Sequence, residues 1–311
     1  KITHRGSNVF ELKHFPNGTL GANRLPIVDR EFGKQPQSNC NNTIFAAQNG
    51  EIFNYIQLRD ELIQKGCKFK TNSDTEVLAH LYEKYGTDMV EKIDSEMFAF
   101  VIYDKKNDAV FAARDMLGVK PLYYAQDKKG QWYFASEIKQ LSFFEDIEKI
   151  KTFPPGTYFI NGKFKKYYQL EKGNKFKKED EIIKLLEPKL VEAVRKRVQT
   201  DLPIGVFLSG GVDSSLIMEI ATRLHPDVTA IILGYPGSSD YEFALRLCKG
   251  RGYKYHVIRP DVDYENELDN IIYHLETYEP LIIRHSFSLD MCSREAHRLG
   301  LRVVLVGEGA D

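Results

Sequence analysis

The stretch Ser209-Gly210-Gly211-Val212-Asp213-Ser214-Ser215 is suited to binding an anion. Two adjacent glycines let a backbone approach an anion closely, three serines add hydroxyl donors, and Asp213 adds a carboxylate. Such a loop holds phosphate when it opens a helix, because a helix's first turn leaves N–H groups unpaired and carries partial positive charge. It is not a Walker loop, since no Gly-Lys-Ser or Gly-Lys-Thr follows. An ordinary helix cap at Ser209 or Asp213 would explain the turn but not the doubled glycine with the aspartate. A protein-bound zinc site is not expected. The eight histidines show no ligand spacing, and Cys40, Cys67, Cys248 and Cys292 are scattered like reduced structural thiols.

Elements must then place that loop. The apolar run 204–208 suits a buried parallel strand, and Leu216, Ile217, Ile220 and Ala221 recur at helical spacing behind the loop. Further strands are expected at 228–233, 254–258 and 301–306, with helices at 241–248, 268–278 and 289–299 and an amphipathic helix from Ile182 to Val198. This alternation predicts a doubly wound parallel sheet with its ligand at the strands' carboxyl ends. The first half reads differently. A strand at 43–47 leads to an Asn49-Gly50 turn, a helix ends near Gly66, and another starts at Ser73 or Asp74 with Val77, Leu78, Leu81 and Tyr82 on its apolar face. Strand pairs are expected at 97–103 with 109–113 and at 122–125 with 131–135, which makes an α+β layered domain. The lysine-rich stretch 161–180 reads as a crossing segment, so the expected domains are 1–172 and 173–311.

Composition sets the outer bounds. A chain of 311 residues, 42% hydrophobic and 28% charged, suits about two globular domains. A formal net charge of -1 argues against nucleic acid or a membrane as the dominant partner, and no apolar run approaches a bilayer span. A cytoplasmic setting is the expectation. Lys1 at the first position, and an apolar strand running into Gly307-Glu308-Gly309-Ala310-Asp311, read as cut ends.

Two resemblances join these observations. Ser-Gly-Gly-x-Asp-Ser matches the signature of the ATP pyrophosphatase (PP-loop) family. With 234–240, 273–278 and 307–311 it makes the second half resemble the synthetase domain of glutamine-dependent asparagine synthetases. The resemblance implies that Leu208, Leu233 and Gly307 contact adenine or ribose, and that Ser209, Gly210, Gly211, Asp213 and Ser214 hold the pyrophosphate of ATP. It also implies that Asp213 and Asp311 serve Mg²⁺ and that Glu308 orients or deprotonates ammonia. The first half resembles the glutaminase domain of class II (N-terminal nucleophile) amidotransferases. The matching pieces are His4-Arg5-Gly6, 24–29, 49–54, 73–76, 114–124 and 134–139, in the family's order. The fold so implied is an α-β-β-α sandwich.

In that family's terms Arg24 would grip the α-carboxylate of glutamine, Glu51 and Asp74 would accept from its α-ammonium, and the Asn49 side chain with the Gly50 N–H would form the oxyanion hole. Taken singly, Asn49-Gly50 is also a hairpin turn and Asp74 a helix cap. The family's nucleophile is a cysteine at the mature N-terminus. None of the four cysteines here fits it, so it is expected upstream of His4 or absent from the parent protein. The function implied is asparagine formation from aspartate, ATP and glutamine, with small molecules as partners and a homodimer left open. Val306 and 279–286 depart from the family where the acceptor acid is chosen. That keeps open a β-lactam synthetase-like ligase with another acceptor, and, from a different class, a non-catalytic amidotransferase-like binding protein.

Overall fold

The computed structural model describes residues 2–6, 10–170, 173, 178–261 and 263–309. Packing divides the chain into two compact units, Lys1–Gly173 and Asn174–Asp311.

The first unit runs β1 (Phe10–Phe15), β2 (Gly18–Asn23), β3 (Gln37–Ser38), β4 (Ile44–Gly50), α1 (Tyr55–Gln64), α2 (Asp74–Tyr85), β5 (Phe98–Asp104), β6 (Ala109–Arg114), β7 (Tyr123–Gln126), β8 (Trp132–Ala135), β9 (Lys151–Thr152), β10 (Thr157–Ile160) and β11 (Lys163–Lys166). Its main sheet is antiparallel, in the order β11-β10-β6-β5-β4-β3. Strand alternation gives each face its own core. Ile44, Ala46, Phe98, Phe100 and Phe111 pack under Leu58, Leu62, Val77 and Leu78 of α1 and α2. Ala99, Ala112 and Phe159 look the other way, onto Tyr124, Trp132 and Phe134 of the three-stranded sheet β8-β7-β9. Trp132 and Phe134 stand 4.8 and 5.1 Å from the Phe159 ring. The outer face of that second sheet, with Ala125 and Ala135, is covered by Leu141, Ile147 and Ile150. This is an α+β sandwich whose fourth layer, among the described residues, is short.

Two sequence expectations need correction. Asn49-Gly50 is no hairpin turn: β4 continues through both residues, which pair with Ala99 and Phe98. Only glycine could end the strand this way. Gly50 sits at φ 127°, and a Cβ there would lie 2.1 Å from the Met97 carbonyl oxygen. Nor is 161–180 simply a crossing segment, because Lys163–Lys166 forms edge strand β11 against β10. Phe164 turns inward onto Phe153 and Phe159 while the lysines face solvent, a common guard for a sheet edge.

The second unit runs α3 (Glu179–Arg197), β12 (Ile204–Phe207), α4 (Val212–Leu224), β13 (Val228–Leu233), α5 (Ser239–Arg251), β14 (Lys254–Ile258), α6 (Tyr264–Leu275), α7 (Pro280–Arg298) and β15 (Val303–Leu305). The four strands are parallel, in the order β14-β13-β12-β15. The chain therefore winds outward from β12 through β14 and then returns to the other side of β12, a topological switch point. Helices cover both faces. Val194, Met218, Ala221 and Ala244 fill one side, and Cys292, Ala296 and Leu301 the other.

Helix α7 starts well before the expected residue 289. Pro280 suits the first helical position, where no N–H is needed, and Glu279 caps the turn by accepting from Leu281 N at 3.3 Å. That signal was present in the sequence but masked by the apolar run 281–283. Helix α6 starts at Tyr264 and ends at Leu275, ahead of the expected Tyr278.

Candidate functional site

The expected glutamine-handling residues of the first unit converge at the end of β4. Ser73 caps α2 by accepting from Thr75 N at 3.2 Å, which leaves the Asp74 carboxylate for other partners. Asp74 Oδ2 accepts from Ile52 N at 3.1 Å and from Gln48 Nε2 at 2.6 Å. Arg24 donates to the Asp29 carbonyl at 3.1 Å and to the Val28 carbonyl, so both terminal nitrogens of its fork are tied to its own loop. Arg24, Glu51 and Asp74 feel one another's charge. Asn49 Nδ2 is buried without a hydrogen-bond partner among the described residues. A buried donor left unpaired costs about 1–3 kcal/mol and needs an explanation, which an incoming oxygen would supply.

Burial outweighs the two cations, Arg24 and Lys120, that lie within charge range of Glu51. Burial first, and Asp74 second, push the Glu51 carboxyl from an ordinary 4.5 up to about 8. Burial also raises Asp74, against the bonds from Ile52 and Gln48. A ligand ammonium would favour the ionised pair. Glutamine affinity is therefore expected to rise by about tenfold or more between pH 6 and 8, read as a falling KM, with Glu51→Gln flattening the profile. The sign for stability is opposite. A carboxyl raised on folding contributes fully below about 4.5, and that contribution is lost as pH rises toward 8, so the ligand-free protein should lose thermal stability across that window.

The motifs at 4–6, 114–124 and 134–139 turn out to be scaffolding that meets in space. Glu137 is buried and bonded by His4 at 2.9 Å, Arg5 at 3.1 Å and Lys139 at 2.7 Å. Burial alone would raise its carboxyl, but those three bonds hold it below the usual range. Arg114 spends its whole fork on the carbonyls of Lys120, Phe153 and Gly118, each at 2.7 Å, and Asp115 accepts from the amides of Leu117, Val119 and Lys120. The loop so tied sets Lys120 within charge range of Glu51. Burial, then Arg5, lower the Lys120 ammonium, while Glu51 opposes them. Sequence reasoning named neither Glu137 nor Lys120 as site neighbours, because their partners lie far away in the chain. Burial pushes Cys67 up, and takes Cys248 and Cys292 to about 11.

In the second unit the loop expected to hold phosphate joins β12 to α4 at the switch point. Leu208 is buried and continues the sheet by donating to the Ile231 carbonyl at 2.9 Å. Gly210 has φ 84°, and a Cβ there would stand 2.4 Å from the Asp240 carbonyl oxygen of α5. Gly211 is the N-cap of α4. Ser209 and Ser214 hydroxyls lie 3.0 Å apart and accept from loop amides: Gly211 N donates to Ser209 Oγ at 3.3 Å, and Ser209 N to Ser214 Oγ at 3.2 Å. Gly307, after β15, lies flush on the same helix start, where a Cβ would meet Ser214 N at 2.6 Å. Leu233 ends β13 and packs with Phe207 and Ile258. Asp213 is exposed in the first turn of α4. Glu308 Oε1 stands 3.0 Å from His285 Nε2 of α7, a neighbour the sequence did not reveal. Asp311 lies outside the described residues.

The family profile for a glutamine amidotransferase domain matches residues 1–166, and that for asparagine synthase matches 185–311. Glutamine-hydrolysing asparagine synthetase 1 of Arabidopsis thaliana is 36% identical, covering 100% of this chain and 55% of that protein. The enzyme of Sandersonia aurantiaca is 36% identical with 61% of its length covered, and a probable asparagine synthetase of Dictyostelium discoideum is 34% identical with 60% covered. The chain thus spans little more than half the length of these relatives. Among solved structures, glutamine phosphoribosylpyrophosphate amidotransferase from B. subtilis aligns at 18% identity and TM-score 0.40, covering 80% of this chain and 56% of that one.

Proposed function

Because the chain belongs to the glutamine amidotransferase domain family and continues into an asparagine synthase domain, we propose that its parent protein is an ATP-dependent amide-forming ligase. Glutamine is hydrolysed in the first unit. Its ammonia attacks a β-aspartyl-AMP intermediate in the second, giving asparagine, glutamate, AMP and pyrophosphate. One observation carries the reading: Asn49 Nδ2, buried with no partner among the described residues, at a site where Arg24, Glu51 and Asp74 share their fields. That set matches an α-amino acid at one end and an amide oxygen at the other.

In the first unit Arg24 binds the α-carboxylate, and Glu51 and Asp74 take the α-ammonium. Asn49 Nδ2 and Gly50 N–H hold the oxygen as it gains charge, a contribution of about 10² or more to rate. In the second unit Gly210, Gly211, Ser209 and Ser214 cradle the pyrophosphate of ATP, with Leu208, Leu233 and Gly307 at the nucleoside and Glu308 near the incoming ammonia. The donor chemistry suits Mg²⁺, which takes one or two carboxylates with substrate phosphates. Asp213 would hold it, and Asp311 is proposed beside it. Bound there, the ion would neutralise charge on pyrophosphate. Among the described residues no cluster of three or more His, Cys, Asp or Glu could hold a metal by itself.

A cytoplasmic setting fits the four unpaired cysteines. Among the described residues no helix is long and apolar enough to cross a membrane. The test is to incubate the full-length protein with aspartate, glutamine, ATP and Mg²⁺. Asparagine, glutamate, AMP and pyrophosphate in equal amounts are expected; ADP in place of AMP, or no asparagine, would overturn the proposal.

A further inference from the structure

Gln48 belongs to none of the motifs above, yet it is tied to the centre of the first site. It precedes Asn49 on β4, and strand alternation sends the two side chains to opposite faces of the sheet. Asn49 shares the face of its partner Ala99, which packs between the two sheets. Gln48 shares the face of Ile44 and Ala46, under the helices. There its Nε2 donates to Asp74 Oδ2 at 2.6 Å and to Thr75 Oγ1 at 3.0 Å, while its backbone N–H donates to Gln35 Oε1 at 2.8 Å. With Ile52 N on the same Oδ2 at 3.1 Å, the plane of the Asp74 carboxylate is fixed from the helix side of the strand.

The amide suits this task for an electrostatic reason. A lysine or arginine in its place would neutralise Asp74 and spend its attraction for a cation, whereas a neutral donor orients the carboxylate and leaves its charge in place. The other end of the side chain is not a reason for its presence. Gln48 Oε1 is buried with no partner among the described residues, and an apolar residue of the same length would avoid that orphan.

We propose that Gln48 is a positioning residue for amino-acid recognition, holding the Asp74 carboxylate from the far side of β4 so that it meets the ligand's α-ammonium. This rests on the glutaminase reading and names a further part of that same site.

The test uses two probes that are not turned over: L-glutamate, which carries both α-groups, and glutarate, the same skeleton without the ammonium. Calorimetric titration of the full-length protein should show L-glutamate binding more tightly than glutarate. Gln48→Met keeps the length and removes the bond. It should weaken L-glutamate about tenfold, the usual scale for a hydrogen bond to a charged group, and leave glutarate within about twofold. Thr75→Val, which removes the second anchor of Nε2, should move the ratio the same way by less, and it carries the test if Gln48→Met does not fold. Unchanged L-glutamate binding, or equal losses for both probes, would overturn the positioning role and leave the glutaminase reading standing. A wild-type protein that neither prefers L-glutamate nor releases it from glutamine would instead remove that reading, and this role with it.

Discussion

Gly50→Ala is expected to reduce glutamine hydrolysis at least about 100-fold while ammonia-dependent asparagine formation continues. The reason is geometric. At φ 127° an L side chain is strained, and the new Cβ would stand 2.1 Å from the Met97 carbonyl oxygen and 2.8 Å from Phe98 Cα. Both obstacles are backbone, so no rotamer change relieves them. The strand must pull away from β5, which moves the Gly50 N–H, the Asn49 side chain and Glu51, whose own N–H donates to Met97 O at 3.0 Å. Strain of this kind costs about 1–3 kcal/mol before the contact is counted, so a fall in melting temperature should accompany the loss. Glutamate release and ammonia-driven AMP formation, measured on one preparation, separate the outcomes. Wild-type glutamate release would remove the proposed oxyanion hole; loss of both reactions would mean that the second unit depends on the first for its folding.

Gly210→Ala is expected to do the converse, reducing AMP formation about 100-fold or more with either nitrogen source and sparing glutamine hydrolysis. Gly210 has φ 84°, and its Cβ would lie 2.4 Å from Asp240 O and 3.0 Å from Ala244 N. The phosphate loop is wedged between the start of its own helix and the start of α5, so relief requires the loop to shift. A displacement of about 1 Å in groups that hold a reacting phosphate is enough for losses of this order. Gly237→Ala supplies the control. Its φ of 92° has the same hand, but nothing lies within 4 Å of the new Cβ. It should therefore cost only about 1 kcal/mol of stability and leave AMP formation near wild type. Equal losses at 210 and 237 would show that backbone handedness, and not the contact with α5, is what matters.

Local chemistry was legible from neighbouring residues alone. Ser209 to Ser215 could be read as a candidate phosphate loop because the features in question are adjacent in the chain: glycines for approach, hydroxyls, and a helix start. The strand pairs 97–103 with 109–113 and 122–125 with 131–135 were legible for the same reason, since a turn joins each pair and their hydrophobic alternation is regular. Ser73 as a cap that frees Asp74 was also within reach, as one of two candidates at a recognisable helix start.

What non-adjacent residues do to each other was settled by packing. Asn49-Gly50 has the composition of a hairpin turn, and pairing with β5 overrode that preference because the ladder supplies more bonds than a turn could. His4 and Glu137 meet across 133 positions, and Gln48 meets Asp74 across 26; no local pattern announces either. The parallel strands were foreseeable, but not that β15 returns beside β12 and brings Gly307 against Ser214. Strand order is settled by which buried faces fit together, a property of the whole packed unit that no segment carries alone.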